Sequence, residues 1–148
     1  MKLEIEKEKL MRLFSAANKA TAPKSNLPAL GNVLLQAKRD KLSVRGTNLD
    51  QEVVSSATAE VKEEGSVLIP GSRMRSLVGS MSGPVKIKKV RNDIEVSSEG
   101  FSAKLKGLAV DEYCAPSLDE QSTVFNFSGE RFSEALNSVV FAASTVES

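Results

Sequence analysis

Two short apolar runs on either side of a charged turn constrain this chain more than any other feature. Val33-Leu34-Leu35 is bounded by turn residues, and beyond Lys38-Arg39-Asp40-Lys41 the residues Leu42, Val44 and Gly46 alternate with Ser43, Arg45 and Thr47. A period of two places one set on a buried face and the other toward solvent, so the stretch from Asn26 to Asp50 reads as a loop followed by a β-hairpin. A connection this short can only join antiparallel strands.

The flanking sequence alternates between two periods. Leu3 and Ile5 share one face of a short strand, after which Leu10, Leu13, Phe14 and Ala17 recur at helical spacing. The opposite side of that helix carries Glu8, Arg12, Ser15 and Lys19, a polar face with modest positive charge that solvation alone can explain. The following "TAPKSN" is a loop, because Pro23 disfavours helix at Ala22. Gln51 to Val61 reads as a third strand and Ser66 to Ile69 as a fourth, with Glu63-Glu64-Gly65 as the turn. Pro70-Gly71-Ser72 then starts a second helix with Met74, Leu77, Val78 and Met81 as its apolar stripe, Ser72, Ser76 and Ser80 outward, and Arg73 and Arg75 on the flanks. Ser82-Gly83-Pro84 stops it. Three alternating runs follow, Val85 to Val90, Ile94 to Ser97 and Phe101 to Lys106, turned by Asn92-Asp93 and Glu99-Gly100.

The order strand, helix, strands, helix, strands with hairpin-length turns predicts an α+β domain, two helices on one face of a mainly antiparallel sheet. From Ala109 to Thr123 no period is sustained, and this segment reads as an interdomain linker. Shifted by about 122 residues, the chain then matches itself: Leu3 falls on Phe125, Ile5 on Phe127, Glu8 on Glu130, Leu10 on Phe132, Phe14 on Leu136 and Ala17 on Val139. A first domain over residues 1–120 and the start of a second, truncated one over residues 121–148 are expected. Ser128 is positioned to cap the helix of this second strand-helix unit. Without the rest of its domain, the stripe of Phe132, Leu136 and Val139 would be exposed and favour swapping, self-association or disorder.

Charge and composition narrow the functional classes. Twenty Lys+Arg against nineteen Asp+Glu give a net charge of +1, so any basic function must be local. With no histidine and one cysteine, Cys114, catalytic constellations and metal sites find little support, no cofactor is expected, and a structural thiol in a reducing cytoplasm fits best. No apolar run approaches the ~18 residues of a membrane helix.

Several ordered motifs then converge. "LPALGNVLL", "GTNLDQE", "IPGSRMRSLV", "KLKGLAVDEY" and the terminal "FAASTVES" follow one another such that the sequence resembles the N-terminal part of the bacterial replicative sliding clamp family, the beta subunit of DNA polymerase III. The resemblance covers essentially the whole chain. It implies a DNA-clamp domain with helices on one side of a curved sheet, repeated around a head-to-tail homo-oligomeric ring that encircles double-stranded DNA and serves DNA polymerase III and its clamp loader. Such a ring is held by topology and needs only weak phosphate contacts, which suits a near-neutral chain. The same resemblance makes the polar helix faces hole-lining, with Arg12, Lys19, Arg73 and Arg75 as candidate phosphate contacts. It makes Lys24, where arginine is common in the family, a DNA-contacting loop residue lacking the bidentate fork. It also sets Lys104, Leu105 and Lys106 near a subunit junction, where alternating lysines equally suit protection of an edge strand. The family's partner-peptide pocket lies in domains that are not complete in this sequence. The competing reading is a non-catalytic interaction module that assembles through sheet edges without encircling DNA.

Overall fold

The computed structural model describes residues 1–116 and 125–143. They fall into two units, Met1–Ser117 and Leu118–Ser148. The first contains β1 (Lys2–Ile5), α1 (Lys7–Ala17), β2 (Asn32–Lys38), β3 (Lys41–Thr47), β4 (Glu52–Thr58), β5 (Glu60–Glu63), β6 (Gly65–Pro70), α2 (Gly71–Gly79), β7 (Val85–Val90), β8 (Asp93–Ser98) and β9 (Phe101–Leu105). This is the α+β class that the alternating periods predict. All the ladders are antiparallel, but the strands divide into two sheets, ordered β5-β1-β7-β8-β9 and β4-β3-β2-β6.

The division runs through the middle of the predicted third strand. At Ala59 the backbone N–H donates to Asp40 O at 2.9 Å, closing β4 against the hairpin turn. The chain then leaves as β5 to pair with β1 in the other sheet. The β2–β3 turn is tied from a distance: Arg39 holds a φ of 55°, and its N–H donates to the Glu64 carboxylate at 2.8 Å. "GTNLDQE" is the β3–β4 connection. There buried Thr47 donates its hydroxyl to Gln51 O at 2.9 Å and accepts from Leu49 N at 3.0 Å, while Asn48 Oδ1 accepts from Asp50 N and Gln51 N. These short polar side chains replace the ladder bonds that a tight turn gives up.

One core joins both sheets to the helices. Leu10, Leu13, Phe14 and Ala17 of α1 and Met74 and Val78 of α2 are buried with Leu3, Ile5, Val33, Leu35, Val44, Ile69, Ile87 and Val96. Each large side chain withdrawn in this way contributes roughly 1.5–3 kcal/mol. α1 lies against β3 and β4, and α2 against β2 and β6, so the two helices form one layer over the four-stranded sheet. Two glycines permit the close approach. A Cβ at Gly46 would stand 2.1 Å from Ala17 O, and one at Gly71 would stand 2.1 Å from Asn18 Oδ1 and 2.8 Å from Val33 Cγ1.

Part of the expected linker is docked on the first unit. Leu108 bridges to Leu68, Val110–Glu112 forms a single 3-10 turn whose Glu112 carboxylate accepts from Ala109 N at 3.2 Å, and Tyr113 donates its hydroxyl to Glu52 Oε1 at 2.8 Å. The remainder of that linker, 117–123, and the end of the "FAASTVES" motif, 144–148, lie outside the described residues. Cys114 is exposed, and its sulfur lies 3.6 Å from Glu112 O.

In the second unit α3 (Gly129–Val139) is followed by a 3-10 turn, Val140–Ala142, just as α1 is followed by one at Asn18–Ala20. Both pairs are related by the same offset of 122 residues seen in the sequence. Ser128 occupies the N-cap position, but its hydroxyl makes no cap bond. Phe125 and Phe127 form no strand. Alternation alone does not make one without a partner to pair with, and their rings stack instead, Phe127 on Phe132 at a centroid distance of 5.2 Å. Phe132, Leu136 and Val139 are exposed.

Candidate nucleic-acid interface

The outer side of the helix layer follows from the core side. Burying Leu10, Leu13, Phe14 and Ala17 turns Glu8, Arg12, Ser15 and Lys19 outward in one stripe, spaced by three or four residues. Arg12 and Lys19 are exposed, Lys19 lying on the 3-10 turn that extends α1. α2 runs alongside. Lys7 near the start of α1 donates its ammonium to the carbonyl of Gly79 at 3.1 Å and to that of Met81, capping the end of α2. Further along, Arg75 Nε donates to Ser15 Oγ at 3.1 Å. Arg75 therefore joins the α1 stripe, where exposed Arg12, Lys19 and Arg75 surround half-buried Ser15.

Arg73 goes elsewhere. Two residues along a helix turn the side chain by about 200°, so Arg73 and Arg75 diverge. Arg73 lines a cavity of about 450 Å³ with Ser72, Ser76, Leu77, Ala103, Lys104 and Leu105, between α2 and β9. The serines on this side are exposed, and Ser76 and Ser80 return their hydroxyls to the carbonyls four residues earlier. That leaves Leu77 and Leu105 as the apolar floor. β9 is the last strand of its sheet, with β8 as its only partner among the described residues. Lys104 is exposed and stands 3.9 Å from Glu95, Leu105 points inward at 8% exposure, and Lys106 is exposed just beyond the strand. Residue spacing assigns Leu77 to the core stripe; its place in this groove comes from β9 lying across the groove from α2, which no local signal carries.

Lys24 sits at the exposed tip of the loop after α1. The loop is pinned at its base: Ala22 N donates to Leu30 O at 2.7 Å, Ser25 N to Ala22 O at 3.0 Å, and Asn32 Nδ2 to Pro28 O at 2.6 Å. Among the described residues, Arg12, Lys19, Lys24, Arg73 and Arg75 have no carboxylate within ion-pair distance, so their charge is not neutralised internally. Such a surface can attract phosphates weakly and without reading sequence. No helix among the described residues is long and apolar enough to cross a membrane.

Comparison with known proteins agrees with this architecture. A family model for the DNA polymerase III beta subunit, N-terminal domain, matches residues 1–119. A beta sliding clamp homolog, GriR, from Streptomyces muensis is 27% identical over 146 residues, covering 97% of this chain and 39% of the relative. The beta sliding clamp of Streptomyces coelicolor is 29% identical over 147 residues, covering 97% and 38%. The chain thus spans about two-fifths of the length of these relatives. Among solved structures, a beta sliding clamp of Caulobacter crescentus superposes with a TM-score of 0.91 at 23% identity, over 100% of this chain and 40% of that one. The DNA polymerase III subunit beta of Pseudomonas aeruginosa gives 0.89 at 21%, over 99% and 41%. These two likenesses concern the fold. With a family model matching 119 of the 148 residues, this chain belongs to the DNA polymerase III beta subunit family.

Proposed function

We propose that this chain serves as part of a DNA sliding clamp, a non-catalytic, cytoplasmic ring that encircles duplex DNA and tethers the replicative polymerase after a clamp loader has placed it there. The observation that carries the reading is the helix layer. It presents Arg12, Lys19 and Arg75 on one outer surface with no carboxylate within ion-pair distance among the described residues. Lys24 adds a loop contact at the end of α1. A few mobile lysine and arginine contacts hold duplex loosely enough to slide, since each neutralised phosphate steepens the salt dependence by only about 0.9 in the logarithmic slope.

Residues 1–120 form the first clamp domain in this reading and residues 121–148 begin the second, as the shared offset of helix and 3-10 turn supports. Lys104, Leu105 and Lys106, at the end of edge strand β9, lie near the subunit junction in this reading. Arg73, which lines the groove beside them and diverges from Arg75, contributes to that junction. The three cations give the junction a positive rim that an acidic partner edge complements.

Lys24→Glu tests the DNA-facing assignment. It is expected to lower DNA retention, with the thermal midpoint unchanged because Lys24 is exposed and has no ion-pair partner among the described residues. Unchanged retention, or a loss of folding in its place, refutes the assignment.

A further inference from the structure

The outer face of the five-stranded sheet carries a cluster of lysines that neither the helix layer nor the β9 edge uses. On β7, Val85 and Ile87 are buried, which turns Lys86 and Lys88 outward. Lys2 of β1 stands directly across from Lys88, and Glu4 across from Lys86. On the other side of β7, Glu95 faces Lys88 and Ser97 faces Lys86, with Ser102 of β9 beyond Ser97. These side chains and Lys62 of β5 surround a concavity of about 370 Å³.

The charges in it are unevenly satisfied. Lys62 is 3.3 Å from Glu60, and Glu95 is 3.9 Å from Lys104. Lys2, Lys86 and Lys88 have no carboxylate within 4.0 Å among the described residues. Like charges directly opposite on neighbouring strands destabilise a sheet, so the Lys2–Lys88 pair works against the fold, offset in part by Glu63 across from Lys2 on β5 and Glu95 across from Lys88 on β8.

We propose that this concavity docks an extended acidic segment of a partner protein. Lys86 and Lys88 are two residues apart on one strand, so they project from the same face roughly 6.5–7 Å apart. Alternate side chains of an extended peptide have the same spacing. A peptide laid along β7 with carboxylates at alternate positions meets both lysines at once, and Lys2 closes on the carboxylate that faces Lys88. Ser97 and Ser102 supply hydroxyls for the remaining oxygens or for peptide N–H groups. Glu4 and Glu95, across from Lys86 and Lys88, accept hydrogen bonds from peptide N–H groups, donors that a phosphodiester backbone lacks. The site stands on the sheet geometry alone, so it is independent of the DNA contacts proposed for the helix layer.

Fluorescence anisotropy of the whole chain with a labelled octapeptide of alternating glutamate and serine tests it. Saturable binding is expected at low salt, weakened at least about tenfold by the double substitution Lys86→Ala, Lys88→Ala. A matched glutamine-serine peptide is expected not to bind, and Lys38→Ala with Lys41→Ala, a facing lysine pair on the β2–β3 hairpin, is expected to leave binding intact. Because Lys86 and Lys88 are exposed, the double variant should melt no lower than the parent. Absence of binding, equal binding by the β7 variant or by the neutral peptide, or tighter binding of an eight-nucleotide oligothymidylate overturns the proposal.

Discussion

Gly46→Ala places a methyl group where the fold has none to spare. The added carbon would lie 2.1 Å from Ala17 O, 2.9 Å from Ala17 C and 3.1 Å from Thr21 Cγ2. The first two atoms are backbone, so no rotamer relieves the contact and the end of α1 must lift from β3 by about an ångström. Both sides are buried, Ala17 at 0% exposure. Overpacking of this kind costs typically 1–3 kcal/mol, and a clash with rigid backbone belongs at the upper end, about 3 kcal/mol. For a unit of this size that lowers the melting midpoint by about 10 °C or more. Gly79→Ala is the matched control: a Cβ there meets nothing within 4 Å, and exchanging a helical glycine for alanine is expected to stabilise by about 0.5 kcal/mol. Urea titrations of both variants with circular dichroism, at equal slope, give the comparison. A Gly46→Ala protein within about 0.5 kcal/mol of the parent, or a Gly79→Ala protein equally destabilised, refutes the argument.

Tyr113 is the only tyrosine and the chain has no tryptophan, so phenolate absorbance reads this residue alone. Burial first, and then its hydrogen bond to Glu52, hold the phenol above the ordinary value of 10.0. The neutral form is thereby favoured in the fold, and the stability it contributes is complete below pH 10 and lost as pH rises from there through the raised folded value. The parent is expected to show a late, steep absorbance rise that coincides with unfolding, and Tyr113→Phe to lower stability by about 1 kcal/mol at neutral pH; a free titration at the ordinary value contradicts both. Lys7→Met removes the ammonium that caps α2 at Gly79 and Met81 and is expected to cost about 1 kcal/mol, read by the same denaturant titration. Equal stability would mean that solvent satisfies those carbonyls as well as Lys7 does.

The parts of this fold that sequence reveals are those fixed by local period. The buried sets of α1 and α2, and the alternation of β2, β3, β7, β8 and β9, follow from the spacing of apolar residues. What spacing does not reveal depends on distant partners. Gln51 to Val61 is one β-rich run by composition, and only the pairing of Ala59 with Asp40 and of Val61 with Leu3 divides it between two sheets. Likewise the segment around Tyr113 has the composition of a linker, yet one hydrogen bond to Glu52, sixty-one positions earlier, helps hold it on the domain. In the basic surface, the exposed stripe of α1 is legible from its helical wheel. The separation of Arg73 from Arg75 is not, because it depends on which neighbour, β9 or α1, each flank of α2 meets. The outward lysines of β7 are visible as alternation, but their convergence with Lys2 requires the β1–β7 register.

The most direct test of the clamp reading is retention of the protein on nicked circular duplex DNA compared with the same DNA after linearisation, at a salt concentration that abolishes phosphate contacts. Encirclement predicts that the protein, once loaded, stays with the circle through gel filtration and is lost from the linear form, because a ring leaves only by an open end. Equal retention on both forms, or loss from both as salt rises, contradicts encirclement and favours a module that assembles through its sheet edges without enclosing DNA.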